Sequence, residues 1–256
     1  MRLPRLFIPF MLAALLLGGW EWAVRSGRAD ELLFPSPSHV LEWCWEGLLS
    51  GELLSATVVT VRRLALGFVI GGLVGIPLGA LCARVRWIND TVGVIALGLQ
   101  TLPSVCWVPL ALLWFGPEES AVVFVVVMGT LWAVVATVRE SVLNVQPLYL
   151  RAAQTMGSGG VHLWMNVVLP AALPGIISGL KQGWAFAWRS LMAAEIFVVI
   201  LSGFGLGSLL HAGRELLRMD QVMGVMGVIM LVGFLADLAF FAPAERWLRR
   251  SRGLER

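Results

Sequence analysis

The sequence predicts an all-α, polytopic membrane protein with about six transmembrane helices. Hydrophobic residues make up 58% of the 256-residue chain and charged residues only 14%. Mean hydropathy is +0.83, above the range of ordinary soluble domains. The apolar residues also come in long runs, and a run of about 20 is enough to cross a hydrocarbon core of about 30 Å.

The first run lies in MRLPRLFIPFMLAALLLGGWEW. Arg2 and Arg5 precede it, no small-x-small cleavage pattern closes it, and Trp20 and Trp22 follow where interfacial anchors sit. A first membrane helix at 5–24 is expected here rather than a cleaved signal peptide. Five further spans are expected at 56–83, 90–115, 119–138, 171–201 and 222–244. Pro77, Pro103, Pro109 and Pro174 fall inside them, as membrane helices allow when neighbours satisfy the freed backbone groups. The chain thus divides into a first helix with an outer segment (1–55), a membrane domain (56–250) and a short tail (251–256). In the second span Gly67, Gly71, Gly75 and Gly79 recur every four residues. That spacing puts them on one stripe, where a neighbouring helix can approach closely.

Arginine sets the orientation. One side collects Arg2, Arg5, Arg84, Arg86, Arg139, Arg151, Arg246, Arg249, Arg250, Arg252 and Arg256. The other holds Arg25, Arg28, Arg214 and Arg218, with Arg62 and Arg63 near its edge. The positive-inside bias predicts cytoplasmic N- and C-termini and a cytoplasmic 139–170 segment, with 21–55 and 202–221 outside.

Several chemistries are missing. A phosphate-binding loop needs Gly-Lys followed by Ser or Thr, and the single lysine, Lys181, stands in Gly-Leu-Lys-Gln. The glycines of SGFGLGS (202–208) lack the dinucleotide spacing and read as a turn. His39, His162 and His211 are far apart, and Cys44, Cys82 and Cys106 suggest neither a disulfide framework nor a metal site. No basic cluster interleaved with aromatics marks a nucleic-acid surface. The chain is expected to be no enzyme and to hold no metal or cofactor.

Residues 151–175, RAAQTMGSGGVHLWMNVVLPAALPG, interrupt the apolar pattern. Pro147 suits the first position of a short helix, and Gly157-Ser158-Gly159-Gly160 suits its end. A second short helix over 161–168 carries Val161, Trp164 and Val168 on one stripe, with Leu169-Pro170 expected to stop it before the fifth span. Two glycine-hinged helices on the cytoplasmic face suit either an amphipathic connector or a docking element.

AAxxxG at Ala152–Gly157, followed by VVLP at 167–170, resembles the EAA loop of permease subunits of ABC importers that work with a substrate-binding protein. Ala152, Ala153, Gly157, Val167, Leu169 and Pro170 fall in register, while Arg151 stands where the family commonly has Glu. TLPSVCWVPLALLWFG (101–116), AWRSLMAAEIF (187–197) and the following GFGLGSLL resemble the branch that imports nitrate, sulfonates, taurine and bicarbonate. The resemblance covers essentially 56–250. It implies a bacterial inner-membrane permease, acting as a homodimer, with a coupling helix in 145–170 that docks in a separate cytoplasmic ATPase. ATP and Mg would be bound by that ATPase, and substrate would arrive from a periplasmic or lipid-anchored binding protein. The shared small residues imply that Arg151, Ala152, Ala153, Gly157, Leu169 and Pro170 form the coupling site. An ion-coupled secondary transporter or a non-transporting scaffold subunit are the alternatives, but the sequence shows no internal repeats.

Charged residues within spans are costly and usually face a cavity or a partner. Arg189, Glu195 and Asp237 are such residues. Arg189 either draws an anion along the path or forms an ion pair with Asp237 or Glu195. Six residues on one helix place Arg189 and Glu195 about 240° apart, so they are poor partners for each other. Glu195 either gates or braces. Trp188 shares a face with Trp184 and is a path candidate weighed against packing.

Overall fold

The structure, a computed structural model, describes residues 3–28, 30–198 and 203–251, and all regular structure among them is helical. The helices are α1 (Leu3–Arg25), α2 (Pro37–Leu49), α3 (Glu52–Arg84), α4 (Arg86–Thr101), α5 (Ser104–Phe115), α6 (Glu119–Leu143), α7 (Pro147–Thr155), α8 (Gly160–Phe197), α9 (Leu206–Glu215) and α10 (Met219–Ala244, helical on to Ser251). Helices α3, α6, α8 and α10 are long and apolar enough to cross a membrane. The pair α4 and α5 meets the same test but is bent by 108°. Helix α1 has 23 residues, about 34 Å at 1.5 Å per residue, and occupies the first expected span. Arg2, residues 199–202 of the fifth span and following turn, and tail residues 252–256 lie outside the described residues.

Three sequence expectations need correction. The third span is not one helix over 90–115. Leu102 is extended (φ −68°, ψ 123°), because a residue before proline is pushed out of the helical region, and Pro103 has no N–H to continue the ladder. Pro109 then sits in the first turn of the next helix, where the missing donor costs little. The second correction concerns Leu169-Pro170, which does not separate a short helix from the fifth span. The backbone widens to a π-turn over Trp164–Val168, and Leu169 N–H bonds Trp164 O, five residues back. The register has shifted before the proline arrives, so the helix runs unbroken from Gly160 to Phe197. In the run SGFGLGS, expected as a turn, residues 203–205 lie outside regular structure and α9 begins at Leu206.

The chain forms two compact units, 1–60 with 203–232 and 61–202 with 233–256. The first unit is built on Leu53, Ala56, Leu206, Leu209 and Val225, with Trp43 packed against them. Its α1 and α2 are tied by Glu21, which accepts from Ser38 Oγ at 2.8 Å and Ser38 N at 3.2 Å. Leu206 N–H donates to Thr60 Oγ1 at 2.8 Å, and Gln221 Nε2 to Leu209 O at 2.8 Å.

The second unit is organised about α6, whose valines and alanines are mostly buried. On one side lie the α3 glycines. A Cβ at Gly67 would come 2.5 Å from Val126 Cγ1, at Gly71 2.7 Å from Thr130 Cβ, at Gly75 3.0 Å from Val134 Cβ, and at Gly79 2.7 Å from Val135 O. On another side, Gly175, Gly179 and Gly183 of α8 face Ser141, Thr137 and Val134. Thr130, Thr137 and Ser141 turn their hydroxyls back onto carbonyls four residues earlier. Those hydroxyls need no other donor or acceptor, which leaves the helix surface free for close packing.

Candidate functional site

The segment singled out in the sequence begins at Pro147, the N1 residue of α7. Its end is set by backbone hydrogen bonds. Gly157 N–H bonds Gln154 O and Ser158 N–H bonds Ala153 O, both at 2.9 Å, with Gly157 at φ +84°. This is a Schellman ending, in which glycine takes the left-handed position that side chains resist. Ala153 is buried at the foot of the motif, while Arg151, Ala152 and Gln154 are exposed. Gly160, at φ +56°, turns the chain into α8, and Ser158 Oγ meets His162 Nδ1 at 2.9 Å. Leu169 and Pro170 lie inside α8 just past its π-turn.

The segment is held to the rest of its unit. The Arg84 guanidinium lies over Trp164, 5.5 Å from the ring centroid, and Leu150 and Trp164 pack against the cluster that joins Val168 to Val138 and Val142 of α6. A cavity of about 390 Å³ opens beside it, lined in part by Ala83, Val145, Leu150, Arg151, Trp164 and Val168. Leu148, Met156, Val161 and Met165 stand 59–82% exposed around it. Exposed apolar side chains grouped in this way mark a protein or membrane contact surface.

The charged residues within the spans sort differently from the sequence expectation. Arg189 pairs with neither Glu195 nor Asp237. Glu195, its side chain fully buried, meets Arg63 Nη1 at 3.0 Å, and Arg63 is 1% exposed. Arg63 Nη2 also reaches Glu119 at 3.4 Å, and Arg62 Nη2 reaches the same carboxylate at 2.6 Å. The cluster joins α3, α6 and α8 through charge. Asp237 pairs with Lys181 at 2.9 Å. Arg189 Nε donates to Ala185 O at 3.0 Å, and its guanidinium lies 4.6 Å from the Phe186 centroid. Trp184 packs edge-on against Phe68 at 5.2 Å and near Phe241 at 5.8 Å. Trp188 is half-buried beside Gly233.

A family profile described as "Binding-protein-dependent transport system inner membrane component" matches residues 75–248, well over half of the chain. The chain belongs to this family. It is therefore an ABC-importer permease, a multi-pass membrane component of a transport system that also employs an ATPase and a binding protein. It is 34% identical over 78% of its length to the putative ABC transporter permease protein MJ0413 of Methanocaldococcus jannaschii, covering 74% of that protein. It is 31% identical over 94% of its length to the putative aliphatic sulfonates transport permease protein SsuC of Escherichia coli, covering 90% of it. Its fold is similar to that of a chain in an inward-facing structure of the MetNI methionine ABC transporter, with TM-score 0.66, 18% identity, 77% of this chain and 96% of that one. The fold is that of permease components rather than of an ATPase subunit.

Sequence reasoning about this permease missed Arg63 as the partner of Glu195. The two are 132 positions apart, so no local pattern connects them. The available signal was a pair of arginines inside a largely apolar 33-residue helix.

Proposed function

We propose that this permease carries a small anion, a sulfonate, taurine, nitrate or bicarbonate, across the bacterial inner membrane. A binding protein delivers the anion, and a separate cytoplasmic ATPase drives the movement. The permease works as a homodimer with both termini in the cytoplasm, and residues 145–170 are the coupling element. Arg151, Ala152, Ala153, Gly157, Leu169 and Pro170 shape that element, and the ATPase groove presents an acidic group opposite Arg151.

The observation that carries this reading is the rigid turn at Gly157. It terminates α7, leaves Ala152 and Gln154 outward, and reverses the chain into the 38-residue α8. A push on α7 therefore reaches a full membrane helix across a hydrogen-bonded turn of four residues, 156–159. Support for an anion comes from SsuC, a relative named for aliphatic sulfonates, and from Arg189 within a span.

Gly157→Leu tests the coupling role. Leucine at φ +84° strains the turn, so the assembled complex is expected to keep its yield while ATP-driven uptake falls to background. Normal uptake by that variant rules out the docking role. Uptake driven by an ion gradient without ATP would instead identify a secondary transporter.

A further inference from the structure

We propose that the cavity at the break between α4 and α5 is an oxyanion-binding site, with Arg189 supplying the charge and Ser190 a neutral hydrogen bond. The cavity measures about 260 Å³. Gln100, Thr101, Pro103 and Ser104 line it from the two sides of the break, and Arg189 and Ser190 line it from α8. The two sequence stretches 101–116 and 187–197, far apart in the chain, thus meet around one hollow.

Its depth is informative. Met128, Gly129 and Trp132, near the middle of the 25-residue α6, also border it. Irregular backbone at mid-membrane is tolerated only where protein buries it or where it lines a polar cavity. Secondary transporters place binding sites at such interrupted helices, near the midplane, and the same need to satisfy freed backbone groups holds for any helix broken there. The break at Leu102-Pro103 is therefore the kind of backbone that lines a site.

The chemistry favours an anion. Among the described residues no carboxylate lies within ion-pairing distance of Arg189, and none lines the cavity. Its Nε is taken by Ala185 O and its plane rests on Phe186, which leaves both Nη groups for a ligand. A guanidinium fork matches two oxygens of a sulfonate, nitrate or bicarbonate at once. Beside it, Ser190 Oγ is fully buried and finds no hydrogen-bond partner among the described residues. A buried hydroxyl without a partner is costly, and an oxyanion supplies the acceptor it lacks. The cavity suits the compact head of a ligand rather than a bulky whole.

The identification of the bound oxyanion with the transported substrate rests on the importer reading above; the site itself does not. The test uses the complex with its ATPase, carrying Cys106→Ala and Ser104→Cys. The introduced thiol is reacted with an anionic (sulfonatoethyl) and a cationic (trimethylammonioethyl) methanethiosulfonate, and modification at position 104 is timed by mass spectrometry. Replacing Arg189 with Gln is expected to lower the anionic-to-cationic rate ratio about tenfold or more, the scale on which a charged cleft enriches its counter-ion. Arg189→Lys is expected to restore much of it. With Arg189 in place, added methanesulfonate, nitrate or bicarbonate slows the anionic reagent. An unchanged ratio, or no reaction with either reagent, overturns the proposal. Should the Gln variant not assemble, competition in the Arg189 protein decides, and its absence is equally fatal. Charge-selective labelling in a complex that imports no anion keeps the site and sinks the importer reading. Anion uptake with unselective labelling does the reverse.

Discussion

Glu195 is a carboxylate with 2% of its residue surface exposed, and inside a membrane protein such a group needs a cation within reach. It has Arg63 at 3.0 Å, and Arg63 in turn shares Glu119 with Arg62. Removing one member of a buried pair leaves the other charge stranded, at a cost of about 3–5 kcal/mol, whereas replacing both by apolar residues is often near neutral. Arg63→Leu, which takes that cation away from the buried Glu195, is therefore expected to lower the melting temperature of the purified permease sharply. Glu195→Leu combined with Arg63→Leu is expected to recover most of the loss. A double variant as unstable as the single one would show that the pair does not act as a unit. Glu195 was legible in the sequence as an anomaly, a charge within a span, but its partner was not, because ion pairs between helices leave no trace at any fixed spacing. Gly157 was legible in full, since glycine after a short amphipathic helix announces a left-handed ending.

At the scale of helices, the fourfold glycine spacing in α3 was readable, and so was its consequence of close approach. The identity of the facing helix was not, because glycine records only the absence of a side chain. The four glycines are also unequal. At Gly79 a Cβ would meet backbone, Val135 O at 2.7 Å and Val135 Cα at 3.2 Å, which cannot rotate away. At the buried neighbour Gly72 it would meet only Leu180 Cδ2 at 3.7 Å, an ordinary contact. Gly79→Ala is thus expected to destabilise by about 1–3 kcal/mol, the usual cost of overpacking. Gly72→Ala should be neutral or slightly stabilising, because alanine is the better helix former. Thermal unfolding in one detergent compares them, and equal losses would mean that helix spacing adjusts freely. The break in the third span was the main element misread. Pro103 and Pro109 together looked like tolerated interruptions, yet only Pro109 falls in a first turn, and Pro103 forces Leu102 out of the helix.

For the whole molecule, that break decides the topology. A pair bent by 108° is either one broken crossing or a loop that returns to the side it left, and the choice changes the parity of everything after it. With α1 leaving the cytoplasm, a crossing at α4 and α5 keeps Arg139, Arg151 and the tail arginines on the same side as Arg2, Arg5, Arg84 and Arg86. Only Arg25, Arg28, Arg214 and Arg218 then lie firmly on the far side. A returning loop moves Arg139, Arg151 and the whole arginine-rich tail outside and leaves most of the positive charge on the wrong face. Because short loops rich in arginine resist translocation, the crossing arrangement is expected. It is also the arrangement that sets the 145–170 segment on the side of an ATPase. The exposed residue between α5 and α6, Glu118, separates the two cases. In intact spheroplasts of a variant carrying Glu118→Cys without the native cysteines, a membrane-impermeant maleimide should label the introduced thiol. The corresponding Gly253→Cys variant should react only after permeabilisation. The opposite pattern at both positions would make α4 and α5 a re-entrant pair and would carry the proposed coupling element away from any cytoplasmic motor.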